Sequence, residues 1–152
     1  MTEPSEPATP GTSALASALE RVGDRWSLLV VEALLDGSLR FGELAAAVSG
    51  IAPNILTERL RRLEREGILR STRYSERPPR MEYGLTADGR DLASALRMLA
   101  DWGGRRASSA GGGVEHEPLR HTTCGTPLEA RWYCPTCAVP VADHEAPADR
   151  SV

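Results

Sequence analysis

At 152 residues the chain is long enough for one domain with a true core plus appendages, and its 41% hydrophobic and 26% charged content is a globular balance. No run approaches the roughly eighteen apolar residues of a membrane span, and Met1–Gly11 lacks the apolar stretch of a signal peptide, so no membrane partner and a cytoplasmic location are expected. A net charge of −3 speaks against a nucleic-acid partner until it is divided along the chain. Residues 53–84 carry eight Arg against five Glu, a local +3, whereas residues 108–152 carry three Arg against six acids. The basic charge therefore sits in the middle of the chain, where a phosphate footprint can form.

Residues 1–12 hold three Pro and no apolar periodicity and are expected to be a disordered tail. Ser13 can cap a short helix over Ala14–Val22 that stops at Gly23. Asp24 then caps a second helix, Trp26–Leu35, with Trp26, Leu29, Val30, Ala33 and Leu34 on its inner face. After the Asp36-Gly37 turn, Ser38-Leu39-Arg40 reads as a brief strand and Phe41–Val48 as a third helix with Leu44 and Val48 inward. The next helix has its limits written in: Pro53 suits a first turn and Gly67 a left-handed stop. Leu56, Leu60 and Leu63 make one apolar stripe, and Asn54, Thr57, Glu58, Arg61 and Arg65 make the opposite, polar face. Alone, such a helix is more often an ordinary surface helix, but a helix pair joined by a Gly-containing turn is also the pattern that enters a major groove.

After Gly67 the period changes to alternation. Ile68–Tyr74 and Met81–Leu85 read as paired strands around a loop stiffened by Pro78 and Pro79 and flanked by Arg77 and Arg80. Thr86 caps a last long helix, near Asp88–Arg105, whose stripe of Leu92, Leu96, Leu99 and Trp102 is expected to be a dimerisation face. The expected fold class is mainly α (α+β): a winged helix-turn-helix over residues 13–107 with a long C-terminal dimerisation helix, a linker at 108–115, a small zinc-ribbon-like module at 116–142 and a disordered tail at 143–152.

Several ordered motifs carry a resemblance. Val22-Gly23-Asp24-Arg25-Trp26-Ser27-Leu28-Leu29, Arg40-Phe41-Gly42-Glu43-Leu44, the run from Ile51 to Leu60 with Leu63–Gly67, and Pro78–Thr86 with Gly89 resemble, in that order, the signature stretches of HxlR-type regulators. The resemblance covers about residues 13–103 and implies a bacterial transcriptional regulator, expected to be a repressor, acting as a homodimer on a pseudo-palindromic operator in double-stranded DNA. In that setting Asn54, Thr57, Glu58 and Arg61 are expected at base edges and Arg59, Arg62, Arg77 and Arg80 at phosphates or the minor groove, with Arg40 in the same DNA-binding set. Many family members carry a cysteine at the start of the first helix. Ser13 holds that position here and no thiol precedes Cys124, so a sensed signal would be a small-molecule effector or would act through the tail. The alternative reading is a zinc-stabilised protein-interaction module that keeps the winged scaffold without specific DNA binding. An interaction module has no need of the polar helix face or of the wing arginines.

The tail holds all three cysteines, as His121-x2-Cys124 and Cys134-Pro135-Thr136-Cys137. Three thiolates and one imidazole make four donors, the number a closed structural zinc site takes, and one Zn2+ per chain is expected. Leu128–Tyr133 between the pairs is long enough for a small hairpin, whose Trp132 and Tyr133 are placed to cover the site. Free thiols and a Cys134–Cys137 redox pair are the other readings, though the βαβ context of the latter is not seen. Gly111-Gly112-Gly113 lacks the Lys-Ser/Thr and the strand of a phosphate loop, and no nucleophile–base arrangement can be named, so no enzyme is expected.

Overall fold

The structure, a computed structural model, describes residues 13–76, 79–109 and 117–145. It divides into two compact units with the boundary after Leu96. In the first unit, α1 (Ala14–Val22), α2 (Arg25–Ala33), a two-residue strand β1 (Leu39–Arg40), α3 (Phe41–Ala47) and α4 (Pro53–Arg65) precede the hairpin of β2 (Leu69–Glu76) and β3 (Pro79–Leu85). The long helix α5 (Ala87–Ser109) begins in this unit and continues into the next. β3 is the central strand of an antiparallel sheet of order β1-β3-β2, with Leu39 opposite Tyr83 and Leu69 opposite Leu85. This is a winged helix-turn-helix. Among the described residues no helix is long and apolar enough to cross a membrane.

Local chemistry sets each boundary. The Ser13 hydroxyl accepts the Ala16 N–H at 3.1 Å, and the Asp24 carboxylate accepts those of Trp26 and Ser27 at 3.1 and 3.0 Å, satisfying donors that have no partner inside a helix. The α4 stop has Gly67 at φ +72°, the Ile68 N–H donating to the Leu63 carbonyl at 2.9 Å and the Gly67 N–H to that of Glu64 at 3.1 Å. That is the Schellman arrangement, and it turns Ile68 back onto Leu63, both of them buried.

The core of the unit is formed by Val30, Val31 and Leu34 of α2, Leu44 of α3, and Leu56 and Leu63 of α4, all essentially inaccessible. Val31 lies outside the expected inner face of α2. It is buried because α2 packs against both α3 and α4, so more than one stripe is covered. Each of the three α4 leucines stabilises the fold by about 1.5–3 kcal/mol through burial.

α5 is seated by a close backbone approach. The Thr86 hydroxyl lies 2.6 Å from the Gly67 carbonyl and 3.0 Å from that of Ile68, and it accepts the Gly89 N–H at 3.1 Å. A Cβ on Gly89 would stand 2.1 Å from the Ile68 carbonyl oxygen. Beyond this point the apolar stripe divides. Leu92 and Leu96 are half-buried against the winged core, whereas Met98, Leu99 and Trp102 are exposed. Periodicity marks such a stripe but not what covers each part of it.

In the second unit, β4 (Trp132–Cys134) and β5 (Val139–Val141) form an antiparallel pair, followed by a 3-10 turn at Asp143–Glu145. Cys134–Cys137 therefore occupies the tip of the hairpin, which lies one step later in the chain than the hairpin expected within Leu128–Tyr133. Trp132 and Tyr133 are exposed. The expected linker is helical through Ser109, and its remainder lies outside the described residues, as do the expected N-terminal tail, residues 146–152 and the wing tip at Arg77-Pro78.

Gly89→Ala is expected to destabilise the protein by about 1–3 kcal/mol, because the obstructing atom is backbone. Gly103→Ala has nothing within 4 Å of the added Cβ and should stabilise α5 by up to about 1 kcal/mol. Denaturant midpoints of the two variants check both signs.

Candidate nucleic-acid interface

α4 presents three faces. The leucine stripe points inward. One flank is held by the helices before it. The Nε atom of Arg59 is 3.0 Å from one Asp24 carboxylate oxygen and the Nη1 atom of Arg62 is 3.6 Å from the other. The Arg59 Nε–H has no hydrogen-bond partner of good geometry, so its contact with Asp24 is coulombic rather than directed. Arg62 also donates to the Glu20 carbonyl of α1. The other flank is held by the wing: Glu64 accepts from the Ser71 N–H at 3.1 Å and from its hydroxyl at 2.5 Å.

Between the flanks lies the outward face. At about 100° per residue, Thr57, Glu58 and Arg61 all fall within about 60° of Asn54, whereas Arg62 is about 80° and Arg59 about 140° away. Asn54, Glu58 and Arg61 are exposed and Thr57 is half-buried. The Thr57 hydroxyl donates back to the Pro53 carbonyl at 2.9 Å, which leaves its methyl group and an acceptor oxygen for a partner. Glu58 pairs with Arg59 Nη1 at 3.2 Å. Asn54 and Arg61 have no hydrogen-bond or ion-pair partner among the described residues. Near them, burial first and the Glu64 carboxylate second raise the Tyr83 hydroxyl above its ordinary value, and the Arg61 charge works against both.

The wing adds cations. Arg70, Arg73 and Arg80 are exposed on β2 and β3, and the Arg40 guanidinium of β1 stands 4.6 Å from the ring centroid of Tyr74, at the irregularity in β2. Arg77 lies outside the described residues. Of the expected DNA-contacting set, the structure thus gathers Asn54, Thr57, Glu58 and Arg61 on one face. It leaves Arg40 and Arg80 on the sheet and engages Arg59 and Arg62 with Asp24. Arg70 and Arg73 were not in that set, although their place on an alternating strand gives the signal.

Asp24 is the functional residue that sequence reading understood only as a cap. Burial works to raise its pKa, but the Ser27 hydroxyl at 2.5 Å, the Ser27 N–H and the charges of Arg59 and Arg62 outweigh it and hold the carboxyl below its ordinary value.

The tail residues form two pairs. His121 Nδ1 is 3.2 Å from Cys124 Sγ, and Cys134 faces Cys137. Hydrogen bonds from Thr126 first, and then from His121, bring the Cys124 thiol down to about 7. Hydrogen bonds from the Cys137 and Thr136 N–H groups lower that of Cys134. Among the described residues no three such ligating groups lie together.

Residues 21–110 match the family model described as HxlR-like helix-turn-helix. The chain belongs to the HxlR family. An uncharacterised HTH-type transcriptional regulator of Mycobacterium tuberculosis is 41% identical over 120 residues, covering 79% of this chain and 74% of that protein. Bacillus subtilis YvaP, likewise an HTH-type transcriptional regulator, is 40% identical over 85 residues, 56% of this chain and 79% of that one. Among solved structures, the redox regulator HypR in its reduced form superposes with a TM-score of 0.61 at 30% identity over 65% of this chain and 98% of that one. The transcription-factor candidate PA1607 does so with a TM-score of 0.72 at 28% identity, covering 93% and 96%. An HxlR winged domain with a polar helix face flanked by wing arginines is a DNA-binding transcriptional regulator.

The Asp24 cluster gives a pH test. Its folded-state pKa lies below the ordinary 3.8, so its contribution is complete above that value and is lost as pH falls through the lower, folded-state value. Asp24→Asn should cost about 1–3 kcal/mol at pH 7 and should flatten the loss of stability of the parent protein below about pH 4. Urea midpoints measured against pH for both proteins decide it, and parallel profiles would refute the assignment.

Proposed function

We propose that this HxlR regulator binds a pseudo-palindromic operator as a homodimer, with Asn54, Thr57, Glu58 and Arg61 reading base edges in the major groove. The observation that carries this reading is the division of labour on α4. Its leucines and both flanks are committed to the fold, and the face left over is the one with uncommitted donors. Arg61 suits a bidentate contact to guanine and Asn54 one to adenine. Arg40, Arg70, Arg73 and Arg80, with Arg77 beside them in sequence, supply sequence-independent attraction to phosphate. Arg59 and Arg62 act by setting the pose of α4, because Asp24 already occupies them.

Homodimerisation is supported by what stays uncovered. Leu15 and Leu19 of α1 are 68% and 50% exposed, and Leu99 and Trp102 of α5 are 52% and 54% exposed. Covering each would contribute about 1.5–3 kcal/mol, and a second copy offers matching faces through two-fold symmetry. Leu92 and Leu96 serve the protomer's own core at least as much as the dimer.

Arg61→Ala should weaken operator binding by about 1–3 kcal/mol and relax the preference at one base pair, whereas Arg80→Ala should weaken all sequences alike and reduce the salt slope by about one. Competition binding at two salt concentrations separates the two roles. Unchanged selectivity in Arg61→Ala removes the base-reading assignment. For the assembly, Leu99→Glu with Trp102→Glu should sediment as a monomer at micromolar concentration while retaining the helical content of the parent protein, and a persistent dimer places the interface elsewhere.

A further inference from the structure

After α5, residues 117–145 contain two turns of one design. In His121-Thr122-Thr123-Cys124-Gly125 the fifth residue is left-handed, at φ +69°, and its N–H donates to the carbonyl of the first at 2.8 Å. In Cys134-Pro135-Thr136-Cys137-Ala138 the fifth residue is again left-handed, at φ +55°, and again donates to the first at 2.8 Å. Ala138 is the one non-glycine residue with positive φ among the described residues, a conformation that L side chains rarely adopt. Each turn closes an antiparallel pairing, Arg120 opposite Pro127 in the first and Cys134 opposite Val139 in the second. In each the first and fourth side chains face one another.

Apolar burial does not explain why these turns form. Every residue from His121 to Tyr133 is exposed, including Leu128 and Trp132, so the segment has no core to hold it. What the turns share is the delivery of two donors each: an imidazole and a thiol from one, two thiols from the other.

We propose that His121, Cys124, Cys134 and Cys137 together bind one structural Zn2+ ion, each turn being half of the site. Among the described residues the two pairs are not gathered into a group of three or more ligating side chains, so metal binding requires the two turns to close on one ion. Thiolates with imidazole are the donor set that favours zinc over magnesium or calcium. Binding takes all three cysteines as thiolates, releases to solvent whatever thiol protons remain, and leaves the ion four-coordinate, with no open position for a water. The site is therefore structural, and the order of the tail depends on it.

The test uses the full chain. Purified without chelators, exposed to excess zinc and desalted, it should retain about one zinc per chain, and cobalt in its place should give thiolate charge-transfer and tetrahedral d–d bands. Cys134→Ser with Cys137→Ser, and separately Cys124→Ser, should lower metal affinity at least about tenfold while the thermal transition of the winged domain persists. Should a variant fail to fold, titration of the parent protein with a mercurial serves instead: modification of its three cysteines should release the zinc in step. Absence of retained zinc, zinc held equally well by the variants, zinc left bound after all thiols have reacted, or a Cys134–Cys137 disulfide in protein kept reduced would each overturn the proposal.

Discussion

One carboxylate ties the helix-turn-helix together. Asp24 ends the turn after α1, caps α2 through two backbone N–H groups, accepts the hydroxyl of Ser27 and faces two arginines of α4. Ser27 is fully buried, so its hydroxyl needs a partner inside the protein, and Asp24 is that partner. Through Arg62 the cluster reaches the Glu20 carbonyl as well, so α1, α2 and α4 share a single polar junction beside a leucine core. The core makes α4 stay; the junction fixes its rotation about its own axis. With Glu64 tied to Ser71 on the opposite flank, little freedom remains for the helix to roll. A reading face is useful only if it is aimed, and these two flanks do the aiming.

Much of this was legible in the chain because it is local. Ser13, Asp24, Thr86 and Gly67 mark helix limits within one turn of where they act, and the Leu56, Leu60, Leu63 stripe names its own inward face. The Asp24 junction was not legible, because it links residues more than thirty positions apart, and a cap signature explains Asp24 without them. A helical wheel does place Arg59 and Arg62 off the Asn54 face, which is a hint that they serve another purpose, but it does not say which. The α5 stripe shows a different limit: Leu92 and Leu99 are equivalent by period, yet one meets the core and the other does not. For the cysteines, spacing marks the two pairs, while the matching backbone of the two turns depends on the left-handed fifth residue, which no spacing rule names at Ala138.

The charge distribution follows the same division. Arg59 and Arg62 are spent on the fold, and Arg40 lies over Tyr74. Arg61, Arg65, Arg70, Arg73 and Arg80 have no partner among the described residues and lie on α4 and the wing. A chain of net charge −3 can thus offer DNA a positive surface, because its excess of acid lies outside residues 53–84, in the residues before Pro53 and in the tail.

Selection of duplexes from a random pool by the 152-residue chain, followed by sequencing of the bound fraction, tests the central claim most directly. If the aimed face of α4 reads bases in a symmetric dimer, the recovered sequences will converge on a two-fold motif with half-site centres about one helical turn, ~10 bp, apart or a multiple of that. Recovery of a pool with no motif, by a protein whose binding varies with salt alone, would contradict it.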